Sequence, residues 1–214
     1  MRKKLILPIW IVLALLAASC SSDRKPPKES DESGGSIKIQ VIVAPDSNPD
    51  IAGRPSPVRL DLYQLSADNE FRQLNYSELT EQTKEKLGDK LIQHDQQILY
   101  PDSVKVFSVK LDSHLKYLGV VAGYRDLSQG KWRLVLLKQD KHWYQIGKQY
   151  LYLDIEKNTI SQINKAQMRE KLQDFKSRHP DDKSITNSGK ARKDKNDLSK
   201  GIFREDPKSP AVTE

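Results

Sequence analysis

The sequence predicts a mainly β fold: a two-sheet β-sandwich with a small helical insertion and a C-terminal helix. The main observation is a series of short segments in which apolar and polar residues alternate, separated by turns at the spacing typical of a sandwich. Only residues 71–93 and 164–178 place apolar residues at helical spacing instead. The sandwich is expected over residues 37–163, a length sufficient for an independent hydrophobic core.

The strands are predicted from alternation along the chain. In residues 37–43, isoleucine and valine alternate with Lys38 and Gln40, as in a half-buried strand. The middle of residues 116–124 is apolar, which favours a central strand buried on both faces. The predicted strands are 37–43, 58–65, 104–111, 116–124, 131–138 and 149–155, with a further short strand at 142–146.

Helices are predicted in two places. Residues 71–93 are interpreted as one or two short helices that form a crossover, with Ser77 as candidate N-cap and Gly88 as a stop signal. The C-terminal helix, residues 164–178, is predicted from apolar residues at i, i+4 and i+7. These residues form one face that we expect to dock on the sandwich: Met168, Leu172 and Phe175.

Residues 1–19 have the layout of a secretory signal peptide. Basic residues in MRKK precede the apolar run LILPIWIVLALLAA, and small residues follow it. A membrane-spanning anchor is the alternative, but the run is shorter than the roughly 20 apolar residues that a bilayer requires. Residues 1–19 are therefore predicted to be removed from the mature chain.

Cys20 is the sole cysteine, so no disulfide can form within the chain. The stretch LLAASC resembles a bacterial lipobox, a resemblance that implies acylation of this cysteine, and several acyl chains give stable membrane anchoring. Ser21 occupies the position where an aspartate would resemble an inner-membrane retention signal, so the resemblance implies the outer membrane. Residues 20–36 are polar and rich in proline, glycine and serine, which predicts a lipidated flexible tether.

Charge and motifs exclude several function classes. Loss of residues 1–19 removes three of the 36 basic side chains, and the remaining 33 nearly balance the 29 acidic ones, unlike a nucleic-acid-binding protein. No G-x-S-x-G, H-E-x-x-H or P-loop motif is present. The histidines have no His or Cys partner at metal-ligand spacing: His94, His114, His142 and His179. We therefore expect no metal, no cofactor, no small-molecule substrate and no enzymatic activity.

Three motifs follow one another behind the lipobox: NPDIAGRPSPVRLDLYQL at 48–65, YLGVVAGYRD at 117–126 and KWR at 131–133. Over residues 20–160 they resemble the outer-membrane lipoproteins of the bacterial type VI secretion system, the TssJ (VasD/Lip) family. The resemblance implies a transthyretin-like two-sheet sandwich without enzymatic activity. It also implies a structural role at the periplasmic face of the outer membrane, anchoring the periplasmic C-terminal domain of the inner-membrane subunit TssM.

The loop between the first two strands, residues 45–57, is the candidate partner-binding site. The resemblance implicates this loop in the TssM contact, and its prolines restrict the backbone, which lowers the entropy lost on binding. The same residue types also form ordinary turns, so a scaffolding role and an interface role both remain open. The candidate residues are Asn48, Pro49, Asp50, Gly53, Arg54, Pro55, Ser56 and Pro57.

Two rival functions would each require a site of their own. A ligand-binding periplasmic lipoprotein would need a pocket within the sandwich, and a surface hydrolase would need a convergent acid–base site.

Residues 179–214 are mixed in charge with few large apolar groups, which predicts a disordered tail. The apolar pair Ile202 and Phe203 within it is interpreted as a chance occurrence, with weak docking on a partner as the alternative.

Overall fold

The computed structural model describes residues 33–128, 130–139, 149–182 and 202–206. A short 3-10 turn, Gly88–Lys90, precedes the third strand. The helices are α1 (Asn69–Gln73), α2 (Tyr76–Glu81), α3 (Thr83–Leu87) and α4 (Lys165–Arg178). The strands are β1 (Ser33–Val43), β2 (Val58–Leu65), β3 (Leu91–Leu99), β4 (Ser103–Asp112), β5 (Tyr117–Gly123), β6 (Arg133–Lys138), β7 (Gln149–Ile155), β8 (Ile160–Ile163) and β9 (Phe203–Glu205).

The strands form two sheets, as the alternating sequence predicts. One sheet has the order β4-β1-β7-β8 and the other the order β3-β2-β5-β6-β9. Strands β1 and β7 run parallel, and the other pairings among the described strands are antiparallel. Strand β5 lies between β2 and β6 and is buried over most of its length, which confirms its prediction as a central strand.

The space between the sheets is filled by aliphatic side chains. Gln64 spans it, because its side-chain Nε2 donates to Lys110 O at 2.8 Å and its Oε1 accepts from Asp112 N at 2.9 Å, which joins β2 to β4. This packing of the described residues does not support the alternative of a ligand pocket in the sandwich. The aliphatic residues of this core that are at most 1% exposed include Ile39, Val41, Leu60, Leu62, Val120, Leu134 and Leu153.

The helical insertion covers the outer face of the five-stranded sheet. The hydroxyl of Tyr63 on β2 donates to Leu79 O on α2 at 3.0 Å. The N-cap of α2 is Asn75, not Ser77 as predicted, because the Asn75 side chain accepts from Glu78 N and the Glu78 carboxylate accepts from Asn75 N. The predicted helical segment also extends too far, since β3 begins at Leu91 and pairs with β2.

Helix α4 docks on the outer face of the four-stranded sheet. Met168 and Phe175 are buried against Ile42, with Leu172 partly buried beside them, as the apolar face predicts. The ammonium group of Lys171 adds a polar connection, since its Nζ lies 2.7 Å from Asp154 Oδ2. No helix among the described residues is long and apolar enough to span a membrane.

The structure corrects two predicted boundaries. Strand β1 begins at Ser33, within the segment predicted as tether, because Ser33 and Ser36 pair with β4. Residues 202–206 are ordered and include β9, so the prediction of a disordered 179–214 is wrong there. Sequence composition missed this strand because its buried partners come from distant parts of the chain. The signal peptide, Cys20 and the predicted strand 142–146 lie outside the described residues.

Candidate functional site

Asn48 anchors the base of the loop between β1 and β2, which spans residues 44–57 in the structure, one residue more than predicted, and is called the 44–57 loop below. Asn48 is buried, and its side-chain Nδ2 donates to Pro57 O at 2.7 Å while its Oδ1 accepts from Arg125 N at 2.7 Å. Its backbone N–H donates to Lys157 O, also at 2.7 Å. The residue has φ +50°, a left-handed conformation that asparagine tolerates better than most residues. Asn48 therefore joins the loop to two other segments of the sandwich.

The loop tip is closed by Asp50 and Arg54. The Asp50 Oδ1 accepts from the backbone N–H of both Ala52 and Arg54 at 2.9 Å, and Oδ2 accepts from Arg54 Nε at 2.8 Å. The Arg54 backbone C=O in turn accepts from Asp50 N at 2.9 Å. Gly53 takes φ +77° within this turn, which glycine adopts without steric cost. The tip is thus held by main-chain and side-chain bonds at once.

The charge state of Asp50 is set by the same bonds. Hydrogen bonds from the Arg54 backbone N–H and then from its guanidinium are the main causes that lower the pKa of Asp50. Because a carboxylate with a lowered pKa stays ionised at neutral pH, the Asp50–Arg54 pair persists there. The aspartate therefore shapes the loop, whereas the Arg54 side chain remains 81% exposed.

The eight predicted site residues fall into three groups according to their exposure. Asn48 and Ser56 are buried, so they support the loop and present little surface to a partner. Pro49 and Asp50 are half-buried. The exposed members, which a partner can contact, are Gly53, Arg54, Pro55 and Pro57.

Ile51 is the residue of this loop that sequence analysis missed. It lies at the loop tip between Asp50 and Ala52 and is 109% exposed, the highest value among the exposed large hydrophobic residues described. An isolated isoleucine in a polar loop forms no periodic pattern, so hydrophobic periodicity does not identify it. A usable signal was its position in a turn between Asn-Pro-Asp and Ala-Gly-Arg, where a side chain has no core to enter.

The neighbouring surface is tied to α4. The backbone N–H of Asp102, in the turn between β3 and β4, donates to Ala44 O at 3.2 Å. The Asp102 carboxylate pairs with Arg178, and its Oδ2 lies 3.1 Å from His179 Nε2. The loop base, the β3–β4 turn and the end of α4 therefore form one connected surface region.

One buried carboxylate lies within a network of polar side chains on the five-stranded sheet. Asp61 on β2 is fully buried; its Oδ2 accepts from Arg59 Nε at 2.8 Å, and its Oδ1 lies 2.9 Å from His94 Nε2 and 2.8 Å from Gln96 Nε2. Burial alone would raise the pKa of Asp61, but the bonds from His94 and Gln96 and the Arg59 charge outweigh it and lower the pKa. These groups satisfy one another as a structural network. Among the described residues, no group of three or more His, Cys, Asp or Glu is arranged to hold a metal ion.

The sequence matches a known protein family over most of the described chain. The family model described as type VI secretion lipoprotein, VasD, EvfM, TssJ matches residues 35–170. Comparison of the sequence with curated proteins gives no match.

Solved structures resemble the described fold. The T6SS lipoprotein TssJ1 from Pseudomonas aeruginosa is 31% identical, with a TM-score of 0.55 over 60% of this chain and 95% of that one. Serratia marcescens Lip, described as a membrane-bound component of the type VI secretion system, is 20% identical, with a TM-score of 0.56 over 61% of this chain and 97% of that one. A chain of a type VI membrane complex is 22% identical, with a TM-score of 0.54 over 60% and 98%.

Proposed function

We propose that this chain, which belongs to the type VI secretion lipoprotein family that includes VasD, EvfM and TssJ, anchors TssM to the outer membrane. Members of this family are structural lipoproteins without enzymatic activity. The partner in the proposal is the periplasmic C-terminal domain of TssM. The contact is made by the 44–57 loop, with Ile51 as its central apolar residue.

The observation that carries the proposal is the exposure of Ile51 on a loop that is internally braced. Interface hot spots are side chains that fill a well-packed, desolvated pocket on the partner and are surrounded by contacts that exclude water. Asp50, Arg54 and Asn48 hold the loop through hydrogen bonds before any partner arrives. A pre-organised loop loses less conformational entropy on association, so more of the contact energy appears as affinity.

The polar residues beside Ile51 suggest the chemistry of the partner site. Arg54 uses its guanidinium to pair with Asp50 but remains largely exposed. Pro55 and Pro57 are exposed and follow Arg54 along the chain. The surface offered is thus an isoleucine with one cationic side chain and two stiff prolines. It fits an apolar depression with an acidic edge.

Ile51→Ala tests this proposal directly. Because the side chain is fully exposed in the free protein, its truncation should leave the melting temperature unchanged. Loss of its burial at the interface should weaken binding to the periplasmic domain of TssM about tenfold to a hundredfold. Leu137→Ala is the matched control, because Leu137 is also exposed but lies at the opposite end of the five-stranded sheet. Equal affinities for both variants and the unaltered protein would mean that the loop is only a turn.

The membrane anchor of the proposal is Cys20. A diacylglycerol thioether and an acylated amine at this residue supply several chains, which give stable anchoring. The residues between Cys20 and β1 then act as a tether that separates the sandwich from the lipid surface. Cys20→Ser should release the protein from the outer-membrane fraction. Mass spectrometry that finds unmodified Cys20 in membrane-bound protein would contradict this anchor, while leaving the loop contact testable on its own.

A further inference from the structure

The C-terminal segment Ile202–Asp206 lies along the β6 edge of the five-stranded sheet and is bonded on its other side by β8 of the four-stranded sheet. The space that it fills between β6 and β8 is called the groove below. Strand β9 of this segment pairs with the edge of β6, with Glu205 opposite Leu136 and Phe203 opposite Lys138. Two further backbone bonds extend this pairing, since Gln139 N donates to Ile202 O at 2.6 Å and Asp206 N donates to Val135 O at 3.0 Å. The whole segment therefore follows β6 as an added strand.

Gln162 on β8 bonds to the other side of the same segment. Its Nε2 donates to Phe203 O at 2.8 Å, and its Oε1 accepts from Glu205 N at 3.0 Å. One amide side chain thus satisfies both a backbone acceptor and a backbone donor of β9. The groove recognises an extended main chain from two sides, through the β6 backbone and through this side chain.

The groove also selects side chains. Ile202 is 1% exposed and Phe203 is 3% exposed, and both belong to the main hydrophobic core. The Asp206 carboxylate lies 2.7 Å from Arg72 Nη2, with both side chains only 15% exposed. The Glu205 carboxylate pairs with Lys131. Arg204, in contrast, is exposed. The pattern recognised is two adjacent apolar residues followed, three positions after the second, by an acid.

This segment lies outside the family match, which ends at residue 170. Along the chain the segment follows α4 after residues 179–201, of which 183–201 lie outside the described part. Edge strands expose unpaired backbone groups that attract strands of other chains. A strand contributed by the chain itself removes this hazard at β6.

We propose that the groove between β6 and β8 is a binding site for an extended peptide with the pattern Ile-Phe-x-x-Asp. Residues 202–206 of the same chain occupy it as a tethered ligand. The tether raises the local concentration of the segment, so an untethered strand gains access only when the segment leaves. The recognition mode is β-strand addition, in which backbone bonds give affinity and side-chain pockets give selectivity.

The test vacates the groove in the full-length chain with Ile202→Ser and Phe203→Ser together. A fluorescent peptide of residues 201–206, GIFRED, is then added, and binding is followed by anisotropy. The vacated variant should bind the peptide, and the unaltered protein should bind it at least tenfold more weakly. A peptide with Phe203→Ser should lose about tenfold to a hundredfold in affinity. A peptide with Arg204→Ala, whose side chain points to solvent, is the matched control and should bind as GIFRED does.

A second measurement keeps the proposal testable if the vacated variant folds poorly. The amide of Gln139, which donates to Ile202 O, should exchange slowly in the unaltered protein and faster in Gln162→Ala. Equal peptide binding by unaltered and vacated protein, or unchanged Gln139 exchange in Gln162→Ala, overturns the proposal. A dimer that dissociates on Phe203→Ser also overturns it, since the segment would then occupy the groove of a second copy.

Discussion

Replacement of Asn48 tests whether the 44–57 loop is held from its base. Asn48→Ala removes the donor to Pro57 O and the acceptor from Arg125 N, both at 2.7 Å. It also places a residue with a Cβ but no compensating polar group at φ +50°. The two lost hydrogen bonds cost about 1 kcal/mol each, and more if their partners stay buried and unpaired. The left-handed backbone costs an L-residue about 1–2 kcal/mol.

The expected loss in free energy of unfolding for Asn48→Ala is therefore about 3–4 kcal/mol. Asn48→Gly separates the two causes, because glycine adopts positive φ freely and loses only the side-chain bonds, so it should lose about 2 kcal/mol. Asn48→Asp keeps the acceptor but sets a carboxylate oxygen against Pro57 O. That repulsion raises the pKa of the new acid in the folded state, so this variant should become more stable as pH falls through that pKa.

Urea unfolding followed by tryptophan fluorescence measures all three variants. Asp46→Ala, in the same loop but exposed, is the matched control and should stay within about 0.5 kcal/mol of the unaltered protein. A loss for Asn48→Ala no larger than that of this control would refute the anchoring role. A glycine variant no more stable than the alanine variant would refute the backbone part of the reasoning.

Three further predictions concern the core, the helix and the loop tip. Gly119→Ala should lower the free energy of unfolding by about 1–3 kcal/mol, because the new Cβ would lie 2.5 Å from Phe71 Cζ. Adding Phe71→Leu to this variant should restore part of the lost free energy, as measured by urea unfolding. Phe175→Ala should lose about 3–5 kcal/mol by removing a buried ring, and an unchanged urea midpoint would show that α4 is not docked. Since the pKa of Asp50 is lowered in the folded protein, its bonds stabilise the fold at any pH above the pKa of an unfolded aspartate, near 3.9. This stabilisation is lost as pH falls through the pKa of folded Asp50. The NMR shift of the Arg54 amide should follow this titration, and Asp50→Asn should abolish the titration.

For the 44–57 loop, residue types alone predict the stiffness of the backbone but not which side chains are exposed. Proline, asparagine, aspartate and glycine predict a stiff turn because their backbone preferences are local. Which side chains face a partner is a different matter, since it depends on contacts across the fold. Asn48 became an internal support because Arg125 and Lys157 lie beside it. Ile51 became the exposed residue because the Asp50–Arg54 bonds turn it outwards.

For the C-terminal segment, Ile202–Asp206, the prediction from composition is wrong. Residues around Ile202 and Phe203 are too polar on average to suggest a folded element. Their stability comes from a groove assembled by β6 and β8, which are remote in sequence. The composition of a segment indicates only how much apolar surface the segment itself can supply. Ile202 and Phe203 are instead buried in a core that the rest of the chain provides.

The sequence by itself determined the two-sheet architecture, the central position of β5 and the apolar face of α4, because alternation and helical spacing record which faces are buried. Only the tertiary structure decided the start of β3 at Leu91 and the ordering of residues 202–206. Each of these depends on a bonding partner, and a partner's position is known only when the chain has folded. The same holds for the candidate site, where residue types predict a rigid loop but the long-range bonds of Asn48 anchor it to the sandwich.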